Sequence, residues 1–172
     1  IFTDDFFSVL YDFVQVNNKF TFAGTTVAGN FDQFIFFVQL IDTNISFKNN
    51  YSIPGNTIIN GKKIELLNNY FRIFASTFNK SNGKMNICYV NITQTGNLIG
   101  HKVYDNIFTE RLNDASSLLN KTIILSEVSE TNNTLYAKLT IIDSSGNILK
   151  YKTFNNFGFN NLESIYKIDN IN

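Results

Sequence analysis

Short apolar runs alternate with polar clusters along the whole chain. The middle third shows the pattern most clearly, and it predicts strands over Ile64–Leu67, Tyr70–Thr77, Met85–Thr93 and Leu98–Tyr104. Phe, Ile, Val, Tyr and Thr fill these runs, and Asn, Gly and Ser fill the turns between them, which is typical of β-strands. The best helical window, Glu110–Leu119, aligns with strand-like segments of the neighbouring copies. The pattern therefore predicts an all-β fold.

The strand pattern recurs with a period of about 50 residues. Two later copies match in several separate blocks at an offset of 50, and an earlier copy precedes the second one at an offset of 52. Self-similarity at a fixed period is the sequence signature of repeat architectures. The matching blocks are Tyr70–Ser76 with Asn120–Ser126, Thr95–Ile99 with Ser145–Leu149, Lys102–Asn106 with Lys152–Asn156, Lys19–Gly24 with Phe71–Ser76, and Phe36–Asp42 with Ala137–Asp143.

About four antiparallel strands in each repeat predict the tandem four-stranded blades of a β-propeller. The units run over residues 5–53, 57–104 and 108–154, and residues 161–169 resemble the first strand of a fourth. The chain thus forms one propeller-type domain, or part of one, with about three blades. A solenoid uses shorter repeats, and a two-sheet sandwich, which remains an alternative, gives no reason for the period.

Several segments resemble the repeats of bacterial propellers from secreted and surface proteins of Bacteroidetes-like bacteria. The family pairs an apolar strand that ends in Asp with a Gly-Asn turn and a following strand with a Lys-Thr-Phe element. The tryptophan of that pattern is replaced by Gly100 and Lys150, and its closing Gly pair by Asp105-Asn106 or Asn155-Asn156. The resemblance implies blades, a bacterial secreted or surface location, and no known catalysis. It rests on residues 5–9, 22–26, 32–42 and 139–154.

Three and a fraction blades raise a physical difficulty. Closed propellers typically have 4–8 blades, because each sheet buries both faces against its neighbours. An open array leaves two apolar faces in water. We therefore expect either that this sequence is a window from a longer chain or that copies associate to complete the ring.

Composition narrows the class of partner. Lys+Arg 14 balance Asp+Glu 14, so the net charge is zero and the basic footprint of a nucleic-acid binder is missing. The most apolar run, residues 34–41, is far shorter than the ~20 residues of a membrane-spanning helix, so membrane insertion is not expected. A single Cys excludes an intrachain disulfide. Six N-x-[ST] sequons are about the number that this composition produces by chance.

Few side chains have the type and spacing that chemistry needs. His101 is the only histidine, lies on a predicted strand in the place that Tyr151 takes in the next unit, and has no Cys or carboxylate pair nearby for a metal site or triad. Cys88 sits in mid-strand and is expected to be a buried structural thiol. The tight acidic pairs are Asp4-Asp5 and Glu127 with Glu130, at strand ends or loops where carboxylates are usually solvated.

Turn positions and aromatic runs have structural explanations. Asp42 and Asp143 occupy equivalent places before a turn, which favours Asx-type capping. Gly96 and Gly146 share one register and predict positive φ there. The aromatic run at Phe31, Phe34, Phe36 and Phe37 is explained by core packing in a blade buried on both faces.

The sequence thus predicts a non-catalytic binding or scaffold module of an extracellular or cell-surface assembly. No catalytic residue, metal ligand or cofactor is assigned, and the binding residues stay unknown. The partner is a protein, another copy that completes the propeller, or a glycan. The alternatives are an enzyme whose channel site is completed by blades outside this sequence, and a structural virion or fibre component.

Overall fold

The computed structural model describes residues 7–28, 32–130, 134–154 and 164–165, and within these ranges every regular element is a strand. The all-β prediction is confirmed, and Glu110–Leu119 is almost entirely strand, not helix. The strands are β1 (Phe7–Val16), β2 (Lys19–Val27), β3 (Gln33–Ile41), β4 (Asn44–Tyr51), β5 (Asn56–Leu67), β6 (Tyr70–Asn79), β7 (Met85–Thr93), β8 (Leu98–Tyr104), β9 (Thr109–Leu118), β10 (Lys121–Ser129), β11 (Leu135–Asp143) and β12 (Ile148–Phe154).

These strands form three four-stranded antiparallel sheets with the same topology. Consecutive strands pair in chain order, so the sheets are β1-β2-β3-β4, β5-β6-β7-β8 and β9-β10-β11-β12. In the first and second sheets the two central strands are the most buried, and in every sheet the fourth strand is the most exposed. The three sheets are called the first, second and third sheet in chain order. Residues 161–163 and 166–169, most of the predicted fourth copy, lie outside the described residues.

The chain divides into two compact units. The first spans Ile1–Asp105 and holds the first and second sheets, and the second spans Asn106–Asn172 and holds the third sheet.

Cross-strand pairing corrects the repeat register of the second strands. Leu67 pairs with Tyr70 and Leu118 with Lys121 across equivalent hairpins, so β6 and β10 are 51 residues apart and not 50. The offset of 50 holds only for the last two strands of each sheet, because the β10–β11 connection is one residue shorter than the β6–β7 connection. With the corrected offset, Arg72 is equivalent to Ile123 in the next repeat and not to Thr122. The difference matters because neighbouring side chains on a strand point to opposite faces of the sheet.

The hairpin turns repeat with their backbone conformations. Gly96 and Gly146 have φ of 82° and 80°, as the sequence predicted, and each amide donates to the carbonyl three residues earlier. The first hairpin of each sheet is a two-residue turn that starts with positive φ, at Asn17 (55°), Asn68 (53°) and Leu119 (56°). Asn accepts this left-handed conformation readily, whereas Leu does not.

The first strand of each sheet carries a bulge at an equivalent position, and β5 has a second one at Ile59. Pairing skips Tyr11 in β1, Lys62 in β5 and Asn113 in β9, so these bulges recur every 51 residues. A bulge bends its strand and re-aims the next side chain. The side chains that follow the bulges are Asp12, Lys63 and Asp114.

The first and second sheets pack face to face within the first unit, with β5 lying across β1, β2 and β3. Their shared core is a contiguous apolar cluster, and burying it is the main stabilising contribution in this unit. Phe37 of the first sheet meets Phe71 of the second with ring centroids 5.6 Å apart. The cluster consists of Ala23, Ile35, Phe37, Tyr51, Ile53, Ile58, Ile64, Phe71, Ile73, Ala75, Cys88, Val90 and Ile92.

Gly61 sets the spacing of these sheets, and Gly24 sets the close approach of β1 to β2 within the first sheet. A Cβ on Gly61 of β5 would lie 2.5 Å from the carbonyl oxygen of Gly24 in β2, and a Cβ on Gly24 would meet the Val9 carbonyl oxygen at 1.9 Å. The Gly61 amide donates to the Thr25 hydroxyl over 2.8 Å. Only glycine allows the two backbones to approach so closely.

Candidate functional site

His101 lies on the outermost strand of the second sheet. It pairs with Val90 as Tyr151 pairs with Thr140, so the predicted equivalence of His101 and Tyr151 is confirmed. Both side chains are exposed. Across the described part of the chain, no three His, Cys, Asp or Glu side chains come together in a group that could hold a metal ion.

Cys88 is fully buried in the core of the first unit, between neighbours that are themselves buried. Burial raises the pKa of its thiol well above the ordinary value, and a hydrogen bond with the Ala75 backbone opposes this only in part. The thiolate is the reactive form of cysteine, so this side chain serves packing.

Of the two acidic pairs in the sequence, the structure describes only Glu127 with Glu130. Asp4 and Asp5 lie outside the described residues, and Glu127 and Glu130 are half-buried. Burial, and then the negative charges of Glu130 and Glu110, raise the pKa of Tyr136 in the third sheet.

The expected equivalence of Asp42 and Asp143 is wrong, although the capping role holds for one of them. Asp143 ends β11, and its carboxylate accepts the backbone and side-chain N–H groups of Asn147 over 2.8 and 3.1 Å. Thr93 does the same with its hydroxyl for the Asn97 amide. Asp42 instead lies inside its two-residue turn with φ of 55°, because the first sheet uses a shorter turn here.

The aromatic run of β3 is core, as expected. Phe36 and Phe37 are fully buried, Phe34 is half-buried, and Phe31 lies outside the described residues. Phe37 also meets Phe47 edge-on at 5.8 Å. This run is a packing surface and not an open ligand platform.

A buried polar cluster in the third sheet was missed by sequence reasoning. The Glu110 carboxylate accepts hydrogen bonds from Ser126 (2.6 Å), Lys138 (3.0 Å) and Asn106 (2.7 Å). Glu110 is 3% exposed. Both carboxylate oxygens are engaged, so Glu110 holds β9, β10 and β11 together and has no oxygen turned to solvent for acid–base work. Its partners lie up to 28 residues away, and only the strand register brings them together.

Arg72 forms a second buried polar cluster, in the second sheet. Its guanidinium donates to Asn91 over 2.9 Å and to the Tyr70 hydroxyl over 3.3 Å, and it lies 4.2 Å from the ring centroid of Tyr89. Stacking on an aromatic face suits the planar, weakly hydrated guanidinium. The side chain is 1% exposed, so it is not an open anion clamp.

The outermost strands expose apolar side chains at repeated positions. Leu98-Ile99 opens β8 and Ile148-Leu149 opens β12 in the same register, each after a Gly-Asn turn. All four are about half exposed, and six of the seven β12 residues are exposed. Natural sheets usually blunt their edges with charges, and Lys102, Lys150 and Lys152 do so further along these two strands. The exposed aliphatic side chains are therefore confined to the first two residues of each strand, which makes them a candidate contact surface. We call these two pairs the outer-strand patches.

Comparisons with protein-family models and with curated proteins find no match for this sequence. The described residues contain no helix long and apolar enough to cross a membrane. The candidate site therefore rests on the geometry alone, and the outer-strand patches are its best-supported part.

Proposed function

We propose that the chain forms blades of a β-propeller and works as a non-catalytic binding or scaffold module in a secreted or cell-surface assembly of a bacterium. It contacts a protein partner through the outer-strand patches. The observation that carries this proposal is the recurrence of exposed aliphatic pairs on edge strands, at Leu98-Ile99 and Ile148-Leu149.

The chemistry of the edges favours a protein over a glycan. An edge strand offers unpaired backbone N–H and C=O groups, and a protein segment satisfies both by adding a strand. The aliphatic side chains beside them then supply apolar area that leaves water on binding. Sugars more often stack on exposed aromatic rings, and of the four patch side chains none is aromatic.

The propeller arrangement has its own support in the first unit. There the first strand of one sheet packs across the face of the sheet before it, and close glycine contacts and the Phe37–Phe71 pair fix the spacing. A radial array of blades repeats such a contact from sheet to sheet. Negative-stain images of the natural protein test the arrangement, because a propeller appears as a ring and a sandwich does not.

The binding role is tested by site-specific photo-crosslinking in the secreted and envelope fractions of the source bacterium. A crosslinker at Leu149 is expected to capture one partner, and the variant Ile148→Ser is expected to weaken that capture about tenfold or more. The matched control is Lys150→Gln on the same strand, which leaves both aliphatic side chains in place. Unchanged circular dichroism spectra exclude unfolding as the cause.

The outcome separates the protein and glycan versions of the proposal. Loss of capture with Ile148→Ser but not with Lys150→Gln supports the patch. Equal capture by both variants refutes it. Binding to a glycan array that Ile148→Ser leaves unchanged points to the polar turns instead.

A further inference from the structure

Asp114 of the third sheet holds a backbone amide that belongs to no described strand. Its Oδ2 accepts the N–H of Ile165 over 2.6 Å, and its Oδ1 accepts the N–H of Ala115 over 2.8 Å. Asp114 is 9% exposed, so the carboxylate is largely shielded from water. A hydrogen bond to a charged acceptor under such shielding is among the stronger ones in proteins.

The same contact occurs in the first unit, where it joins two sheets. Oδ2 of Asp12 in β1 accepts the N–H of Ile64 in β5 over 3.0 Å. Asp12 and Asp114 are equivalent: each follows the bulge of its first strand and lies five residues before the positive-φ residue of the first turn. The donor lies 52 residues after the first aspartate and 51 after the second. Ile165 therefore donates to Asp114 as Ile64 donates to Asp12.

The sequence around Ile165 repeats the sequence around Ile64. Residues 165–171 read Ile-Tyr-Lys-Ile-Asp-Asn-Ile, and residues 64–70 read Ile-Glu-Leu-Leu-Asn-Asn-Tyr. Ile64–Leu67 ends a first strand, and Asn68-Asn69 forms the two-residue turn into the next. In the sequence an Asp-Asn pair stands in the matching place.

The face of the third sheet that carries Asp114 is apolar. Asp114 pairs with Leu125, and Leu125 pairs with Leu139, so the three side chains share one face. Ile123 and Ile141 lie two residues further along on the same face. Ile123, Leu139 and Ile141 are only half-buried, which leaves apolar area for another layer.

We propose that this face docks a fourth sheet of the same repeat, that Ile165 takes in that sheet the place that Ile64 takes in the second, and that Asp114 is the residue that seats it. The assignment goes beyond the proposed function, because it concerns how the array continues and holds whether or not the outer-strand patches bind a partner. Asp12 performs the same role between the first and second sheets.

Amide hydrogen exchange by NMR on the full 172-residue chain tests the proposal at single residues. In the wild type we expect the amides of Ile64 and Ile165 both to exchange slowly. Asp114→Ala should speed exchange at Ile165 about tenfold or more and leave Ile64 unchanged. Asp12→Ala should do the reverse, so each variant is the control for the other.

A milder variant covers the case in which Asp114→Ala fails to fold. Asp114→Asn keeps an acceptor oxygen but removes the charge, so Ile165 should lose a smaller part of its protection. The proposal is overturned if Ile165 exchanges at the rate of an unstructured peptide in the wild type, or if neither variant changes it. Protection that appears only at high protein concentration would assign the amide to a second copy and would also overturn it.

Discussion

The approach of Gly61 to Gly24 gives the most direct test of how the first two sheets are held. In Gly61→Ala the new Cβ would lie 2.5 Å from the Gly24 carbonyl oxygen, whereas ordinary contact begins at 3.4 Å. The two backbones must therefore separate by about 0.9 Å, or the strand must twist away. The partner atom is backbone, so no side-chain rotation relieves the clash.

The expected loss of stability follows from two contributions. Overpacking of this kind costs about 1–3 kcal/mol. The hydrogen bond from the Gly61 amide to Thr25, now 2.8 Å long, would be stretched beyond hydrogen-bonding distance, which costs about 1 kcal/mol more. Alanine recovers roughly 0.5–1 kcal/mol of backbone entropy. We expect a net destabilisation of about 2–3 kcal/mol and a fall in Tm of roughly 5–10 °C.

Urea denaturation followed by far-UV circular dichroism measures the effect. Gly100→Ala is the matched control, because it also lies in a strand but a Cβ there has nothing within 4 Å. We expect this control to change stability by less than about 0.5 kcal/mol. If Gly61→Ala unfolds at the same urea concentration as Gly100→Ala, the close packing of the two sheets is not what the geometry indicates.

Three further predictions concern a turn, a tyrosine and the buried ion pair. Leu119→Asn should stabilise the chain by about 0.5–1 kcal/mol in urea denaturation, because Leu119 is 92% exposed at φ of 56°; no gain would contradict the strain argument. Burial raises the pKa of Tyr51 to about 12, so the folded state holds this proton longer and stability should fall as pH rises from about 10 to about 12. Tyr51→Phe should remove that fall, and an unchanged slope in pH-dependent denaturation would refute it. Lys138→Met should lower the free energy of unfolding by about 3–5 kcal/mol, because it leaves Glu110 buried without its cation. Adding Glu110→Gln to the same chain should restore part of that stability. Additive losses in this double-mutant cycle would exclude coupling between the two side chains.

The repeat and its turns were predictable because they depend on local chemistry. Strand residues and turn residues alternate along the sequence, so the bounds of β7 and β8 and the positive φ of Gly96 and Gly146 follow from residue types alone. These signals need no knowledge of which strands meet.

The strand register was less predictable. The repeat offset of 50 assigned the residues of β10 to the wrong faces of the third sheet. The similarity of Tyr70–Ser76 to Asn120–Ser126 suggested an offset of 50, whereas the hairpin gives 51. Apolar residues fill both faces of these strands, so a slip of one residue leaves the hydrophobic pattern almost unchanged. The two-residue turns fix the register. Asn17 and Asn68, which have positive φ in these turns, are the residues of the sequence that could have indicated them.

The buried polar cluster and the docking aspartates lay beyond the sequence for a different reason. Glu110 meets Ser126 and Lys138 only because three strands align, and Asp114 meets Ile165 across 51 residues. The pattern of residues in a single sequence does not show which distant residues come into contact. The recurrence of Asp12 and Asp114 at the same place after a bulge was visible only with the corrected register.

The docking contact also gives the array a direction. On one side the carboxylate of Asp12 or Asp114 accepts the hydrogen bond, and on the other side a backbone amide, at Ile64 or Ile165, donates it. The two sides are not alike, so the contact joins front to back and never front to front. Both contacts lie within one chain. Copies that associated through further contacts of this kind would form closed rings or open filaments and not a twofold dimer, because a twofold dimer needs the same patch on both partners.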